Sequence, residues 1–200
     1  MSKGTRTRQA ILEAAIARFG RDGFRATSVA DIARDASVGG TVAYAYFPSK
    51  EALFRAAIDD DAAAVIHEGL TSVIADPDVE DWRQTLIFTL LAAVERHPLA
   101  RRLLAGLEPE VTERVLDIPA LADLRKACAE RIRAEQLAGT VRPDLDPTTI
   151  GNGIVSILLS LLMSVVQIGP DAAVAYGRDV AAVFAAALNP YPPGVSIDTP

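Results

Sequence analysis

The chemically distinctive side chains near the start of the chain carry hydroxyl, phenol and ammonium groups. They lie at Thr27, Ser28, Thr41, Tyr44, Tyr46 and Lys50. Groups of these kinds donate hydrogen bonds to phosphate oxygens and carry no acid–base or nucleophilic chemistry unless a base activates them. Their concentration in one short stretch predicts a surface that binds a phosphate-rich partner.

Catalytic and metal-binding patterns are missing from the sequence. There are only two histidines, His67 and His97, and they are not spaced as a pair of metal ligands on one helix. Cys128 is the single cysteine, so neither a disulfide within the chain nor a cysteine-based zinc site can form. The acidic run Asp59–Asp61 lacks a glycine-turned calcium loop and is predicted to be solvated surface. We therefore expect no enzyme, no metal and no cofactor.

Charge is distributed unevenly along the chain. Residues 1–50 contain eight Lys/Arg and four Asp/Glu, a net charge of +4, whereas the whole chain has a net charge of -6, which leaves -10 for residues 51–200. A basic segment on an acidic body favours contact with a polyanion through the first quarter of the chain alone. Lys3, Arg6 and Arg8 form a basic patch at the start, which is predicted either to bind phosphate or to be solvated surface.

Helical spacing of apolar residues predicts an all-α protein. The first helix is expected over 6–21, a second after the cap offered by Thr27 or Ser28, and a third over 41–47. Three short helices are what a helix-turn-helix domain requires, with the third in the major groove of duplex DNA. Pro48 and Ser49 then separate this domain from a long fourth helix, expected from Lys50 to about His67, and about five more helices follow, separated by Pro or Gly.

The same stretch resembles the DNA-binding domain of the TetR family of transcriptional regulators. The resemblance extends from Gln9 to Phe54 and is carried by Phe19 and by the segments ILEAA at 11–15, GF at 23–24, TSVADIA at 27–33, ASV at 36–38, YAYF at 44–47 and SKEALF at 49–54. It implies phosphate contacts from Thr27 or Ser28, Thr41, Tyr44 and Lys50. It also implies base or backbone contacts from Gly40, Thr41, Ala45 and Tyr46.

The third helix departs from the family pattern at its start. Gly39 and Gly40 stand where such proteins often carry a serine and a long polar residue, and each glycine costs about 1 kcal/mol relative to alanine within a helix. Glycine also offers no side chain to read bases. We therefore expect Thr41, the Val42 methyl groups, Tyr46 and DNA shape to carry most of the sequence preference.

The segment from Ile150 to Ile168 contains no charged residue and is long enough to cross a membrane. A membrane-anchored helical protein is therefore one alternative. Its flanks, however, lack the Lys/Arg cluster that sets membrane topology. Packing against a second copy, in the four-helix dimer interface that the resemblance also implies, is the favoured interpretation. The predicted interface residues are Ile154, Ser156, Ser160, Ser164, Val180 and Phe184.

The resemblance further implies that the C-terminal helices bind a small molecule, which we expect to be largely apolar. Candidate pocket residues are Trp82, Phe88, His97, Cys128, Met163 and Tyr176. The expected organisation is a DNA-binding domain at 1–50, a ligand-binding and dimerisation domain at 51–188, and a proline-rich, disordered tail at 189–200.

The resemblance implies a homodimeric regulator, by family default a repressor, that leaves a palindromic operator when an effector binds. We expect the protein to be cytoplasmic and not to contact a membrane. A sequence-independent architectural DNA-binding protein is the second alternative, although the acidic body of the chain is unfavourable to it.

Overall fold

In a computed structural model, which describes residues 2–75, 82–111, 115 and 117–190, every regular element is helical. This confirms the all-α prediction. The elements are α1 Lys3–Ala26, α2 Val29–Asp35, α3 Gly40–Tyr46, α4 Lys50–Ala75, α5 Trp82–Val94, α6 Pro98–Leu104, a 3₁₀ turn at Pro109–Val111, α7 Pro119–Leu137, α8 Pro147–Ile168 and α9 Pro170–Leu188. Most of the predicted tail, residues 191–200, lies outside the described residues.

The chain divides into two compact units, Met1–Leu121 and Ala122–Pro200. In the first unit the apolar face of α1 is buried, with Ile11 and Phe19 fully inaccessible to solvent. The rings of Phe19 and Phe24 each lie against Phe54 of α4, with centroids 4.8 Å apart in both pairs. Such tilted and edge-on ring contacts fix α4 against α1 and thereby anchor the small helices that follow α1.

The same unit continues from α4 to α5 and α6. Trp82 and Leu86 of α5 are fully buried. Gly69 of α4 lets the two helices approach closely, because a Cβ atom there would lie 2.7 Å from Leu90 Cδ2. A side chain at this position would require the side chains of Leu86 and Leu90 to shift.

The second unit is built from the rest of α7 with α8 and α9. Asp146 caps α8 by accepting hydrogen bonds from the backbone N–H groups of Thr148 and Thr149, and Pro147 occupies the first turn, where no N–H partner is needed. Gly151 allows α8 to pack directly on the α7 backbone, since a Cβ atom there would be 2.8 Å from Ala129 N.

Among the described helices, α8 alone has the length and apolarity of a membrane-spanning segment. A single helix of this kind is weak evidence for a membrane protein, because core helices of soluble proteins pass the same criterion. Ile154 and Val155 are buried within the second unit, which accounts for part of the apolar composition.

Candidate DNA-binding site

The second and third helices begin with different caps. Ser28 precedes α2, where its Oγ accepts a hydrogen bond from Asp31 N at 3.2 Å and donates one to Asp31 Oδ2 at 2.6 Å. This hydrogen bond holds the pKa of Asp31 below its ordinary value. By contrast, Gly39 precedes α3 and supplies no side-chain cap. The start of α3 therefore has bare backbone on its surface.

The third helix has one buried residue and a large exposed face. Ala43 is fully buried and fixes α3 to the domain, whereas Val42 is 41% exposed and Tyr44 is 53% exposed. Gly40, Thr41 and Ala45 are also exposed, and Tyr46 is half-buried. The exposed face of α3 is the surface that the predicted contacts require.

Thr27 does not lie on that surface. It is buried, and its Oγ1 donates a hydrogen bond of 2.8 Å to the carbonyl of Gly23. The prediction of a phosphate contact from Thr27 is therefore wrong for this conformation, because its hydroxyl is used inside the domain. Ser28, the alternative at this position, remains exposed.

Lys50 lies against the domain. Its ammonium is 4.4 Å from the centroid of the Phe24 ring and 3.5 Å from the carbonyl oxygen of Arg25. A cation over an aromatic face gains about 0.5–1 kcal/mol at exposed sites, so this placement is a modest restraint that a phosphate could overcome. The predicted phosphate contact of Lys50 stays a prediction.

Most arginines near these helices are paired with carboxylates. Arg18 forms a two-pronged contact with Asp35 at 2.6 and 2.9 Å, which joins α1 to the end of α2. This pairing lowers the pKa of Asp35 and raises that of Arg18. Arg21 binds Asp22, and Arg34 binds Asp31 at 3.0 Å. Much of the positive charge predicted for the first fifty residues is therefore compensated locally.

A kink near the end of α1 connects this domain to the segment after α6. Gly23 has a φ of 82°, and a Cβ atom there would lie 2.8 Å from Glu108 Oε1. The same oxygen accepts hydrogen bonds from Phe24 N at 3.1 Å and Arg102 Nε at 2.7 Å. Arg25 also forms an ion pair with Glu110. Sequence reasoning missed this connection because the acids and the kink are more than eighty residues apart.

His97, a predicted pocket residue, lies within a polar cluster. Its Nδ1 lies 2.7 Å from Asp61 Oδ1 and its Nε2 lies 3.3 Å from Glu68 Oε1. Asp61 is only 4% exposed and accepts hydrogen bonds from the N–H groups of Leu99 and Ala100 at the start of α6. The prediction that the run Asp59–Asp61 is solvated surface is therefore wrong for Asp61. The hydrogen bond from His97 also lowers the pKa of Glu68.

The other candidate pocket residues have mixed surroundings. Trp82 and Cys128 are fully buried in the cores of the first and second units respectively. Phe88 is 59% exposed and Tyr176 is 49% exposed, so neither lines an enclosed cavity within its own unit. Met163 is half-buried. No group of three or more His, Cys, Asp or Glu side chains suited to a metal ion occurs among the described residues.

The predicted dimer residues also divide into core and surface. Ile154 is fully buried within the second unit and has no surface for a partner, so its assignment to the interface is corrected to the core. Ser156, Ser160 and Ser164 each donate a hydrogen bond to the carbonyl four residues earlier, which satisfies their hydroxyls within α8. Val180 and Phe184 of α9 are half-buried, and the neighbouring Val183 is 62% exposed.

Residues 11–57 match the family model described as bacterial regulatory proteins, tetR family. No curated protein sequence matches the chain closely enough to count as a relative.

Several solved structures share the fold over nearly the whole chain. A TetR-family transcription regulator from Shewanella sp. PV-4 is 26% identical, with a TM-score of 0.59, and the match covers 90% of this chain and 95% of that one. One from Mesorhizobium loti MAFF303099 is 21% identical, with a TM-score of 0.73 and coverage of 94% and 100%. The TetR-family repressor FadR of Thermus thermophilus, in complex with lauroyl-CoA, is 22% identical, with a TM-score of 0.64 and coverage of 95% and 100%.

Proposed function

We propose that the chain is a DNA-binding transcriptional regulator of the TetR family and acts as a homodimeric repressor, which a small, largely apolar effector releases from a palindromic operator. The proposal places it in the cytoplasm, with access to chromosomal DNA. Residues 1–50 bind DNA in this proposal, and residues 51–188 bind the effector and form the dimer.

The observation that carries the DNA-binding proposal is the exposed face of α3. Val42 and Tyr44 lie in solvent on a helix held in place by buried Ala43, inside the segment that matches the family model. A helix placed in this way can enter the major groove, where hydroxyl groups and apolar groups contact phosphates and thymine methyls. The proposed contacts are Ser28, Gly40, Thr41, Val42, Tyr44, Ala45, Tyr46 and Lys50.

The proposed sequence readout is sparse at the start of α3. Apart from each glycine's own neighbours in the chain, no described residue has an atom within 4 Å of where a Cβ would stand at Gly39 or Gly40, so the backbone there is open to a ligand. Close approach of backbone to DNA favours recognition of groove shape over hydrogen bonds to base edges. Thr41 and Val42 would then supply the few direct contacts to bases.

Dimerisation is proposed through α8 and α9. The α9 surface is apolar and open in the single chain, since Val183 is exposed and Val180 and Phe184 are only half-buried. A second copy related by a two-fold axis would cover this surface with the same residues. Two DNA-binding domains related in this way would read two half-sites of inverted sequence.

Effector binding is proposed by analogy with the Thermus repressor, whose structure contains lauroyl-CoA. In one conformation of such a dimer, the spacing of the two DNA-binding domains would not match the operator. A ligand that binds this conformation more tightly lowers the affinity for DNA, to an extent set by its difference in affinity for the two conformations. The contacts of Asp61 with α6, and of Glu108 with the end of α1, supply physical connections along which such a change could reach the DNA-binding helices.

Fluorescence anisotropy tests this function against the architectural alternative. Full-length protein is titrated onto labelled duplex from the DNA upstream of its own coding sequence and onto a scrambled duplex of equal composition, each over a salt series. Specific binding predicts a large loss of affinity on the scrambled duplex, typically at least 10³-fold for a specific regulator. Equal affinities with equally steep salt dependence would support the architectural protein, and no binding to either duplex at low salt would contradict DNA binding.

A further inference from the structure

The first turn of α1 is ordered and helical. Ser2 caps the helix, with its Oγ accepting a hydrogen bond of 3.1 Å from Thr5 N, and the helix runs without a break from Lys3 to the buried Ile11. The basic residues of this turn therefore have fixed positions relative to the rest of the DNA-binding domain. A disordered arm would lose more conformational entropy than this turn does when it binds a partner.

This turn lies beside the end of α3. A Cβ atom at Gly4 would be 3.3 Å from the Tyr46 hydroxyl oxygen, so the two helices touch at that point. One turn later, the Arg8 guanidinium lies 5.0 Å from the centroid of the Phe47 ring, which directly follows α3. The start of α1 and the end of the proposed recognition helix thus form one continuous surface.

Positive charge at this turn is not neutralised by neighbouring acids. Lys3 and Arg6 are exposed, and neither side chain forms an ion pair or hydrogen bond with any residue of the described ranges. The arginines farther along the domain differ, because Arg18, Arg21 and Arg34 are each paired with an aspartate. Cations without an acidic partner retain their full attraction for a polyanion.

We propose that Lys3 and Arg6 form a second DNA-contact surface, which binds backbone phosphates beside the groove that α3 enters. This inference rests on the proposed function and adds to it a defined role for the start of α1. Phosphate contacts of this kind set the register of the recognition helix and contribute affinity that is independent of sequence. They would compensate for the sparse base contacts expected at Gly39 and Gly40.

The test compares two double variants that remove the same amount of charge. Lys3→Gln/Arg6→Gln removes the unpaired cations, whereas Arg21→Gln/Arg34→Gln removes two cations that already have acidic partners. Dissociation constants of the full-length proteins are measured by anisotropy on a fluorescein-labelled 40-bp duplex of arbitrary sequence and on the upstream duplex, from 50 to 300 mM NaCl. Circular dichroism and urea unfolding check that each variant is folded.

Affinity for DNA falls as salt rises, so a plot of the logarithm of the association constant against log[NaCl] has a negative slope. The first double variant is expected to make this slope shallower by about 0.9 for each phosphate that the protein no longer neutralises, or about 1.8 for each bound domain. The fall in affinity should be similar on both duplexes, and the control variant should stay close to wild type. An unchanged slope in the first variant, or an equal fall in both variants, would overturn the inference. Failure of the wild-type protein to bind either duplex would instead overturn the proposed function itself.

Discussion

Two threonines of the DNA-binding domain, Thr27 and Thr41, have opposite surroundings. Thr27 is 3% exposed and hydrogen-bonded to the carbonyl of Gly23, whereas Thr41 lies in solvent on α3. Thr27→Val keeps the shape of the side chain but leaves the Gly23 carbonyl without this donor. We expect the free energy of unfolding, measured in urea, to fall by about 1–2 kcal/mol.

Thr41→Val is the matched control for Thr27→Val. Its exposed hydroxyl forms no hydrogen bond within the part of the chain that the structure describes, so the expected change in stability is within about 0.5 kcal/mol. DNA affinity should respond in the reverse order, with Thr41→Val weakening binding and folded Thr27→Val retaining it. Equal stability of the two variants would show that the buried hydrogen bond does not contribute as described.

Asp61 is the buried carboxylate that holds α6 to α4. It accepts hydrogen bonds from Leu99 N at 3.1 Å and Ala100 N at 2.8 Å, and its other oxygen contacts His97. Asp61→Ala leaves these donors unsatisfied and should lower the free energy of unfolding by about 3 kcal/mol in urea titrations. Asp60→Ala, at the exposed neighbouring position, should change it by less than about 0.5 kcal/mol. Similar destabilisation in both variants would contradict the role of Asp61.

The difference between Asp60 and Asp61 could not be predicted from the sequence. Three consecutive aspartates on a helix point in three directions, and which of them meets another helix depends on tertiary packing. The buried position of Thr27 was missed for a related reason. The family pattern identifies a hydroxyl near the start of α2, but the kink at Gly23 determines whether that hydroxyl faces solvent or the backbone.

At the scale of helices, α1 and α2 are joined by the contact between Arg18 and Asp35. The pKa of Asp35 is lowered in the folded protein, so the contribution of this contact to stability is present above the unfolded-state pKa of about 4. That contribution disappears as the pH falls through the lower folded-state value. The stability difference between wild type and Asp35→Asn should therefore be present at pH 7 and shrink in acid.

Urea unfolding at a series of pH values from 7 to 2.5 measures this difference. Glu13→Gln is the control, because Glu13 is exposed on the same helix and forms no ion pair with a residue in the described part of the chain. It should show no comparable change with pH. A wild-type advantage over Asp35→Asn that persists unchanged at pH 2.5 would contradict the assignment.

Helix positions were predictable wherever a cap or a breaker is local in sequence. Ser28, Asp146 and the Gly169–Pro170 pair fall at observed helix boundaries, as their chemistry requires. Helix lengths were less predictable. Observed α1 begins at Lys3, three residues before the expected start, because Ser2 provides a cap that the apolar periodicity does not reveal. Observed α4 continues to Ala75, well beyond the expected end at His67.

At the scale of the whole molecule, the proposed regulator is a dimer that binds two half-sites. Val183 is 62% exposed on α9, and Val183→Asp would place a charge in the proposed interface. We expect light scattering during size-exclusion chromatography to show a dimer for wild type and a monomer for this variant, since an unpaired buried charge is strongly unfavourable. The control Leu137→Asp changes another exposed apolar residue, at the end of α7, and should remain dimeric.

A wild-type monomer, or a Val183→Asp variant that stays dimeric, would contradict an interface through α9. The sequence predicted that α8 and α9 offer apolar surface, but it did not separate core from surface along α8. Ile154 and Ser156 are two residues apart on a helix, yet the first is buried and the second exposed. That separation follows from which face of α8 packs on α7, as the contact of Gly151 with Ala129 illustrates.

The central claim, a dimeric regulator that reads a specific operator, is tested most directly by selection from random DNA. Full-length protein is incubated with a library of duplexes carrying a 30-bp random segment in 0.15 M NaCl, and the bound fraction is sequenced over successive rounds. We expect enrichment of one two-fold symmetric motif, with half-sites separated by about 10 bp or a multiple of it. A bound pool with the same sequence composition as the input would contradict the account.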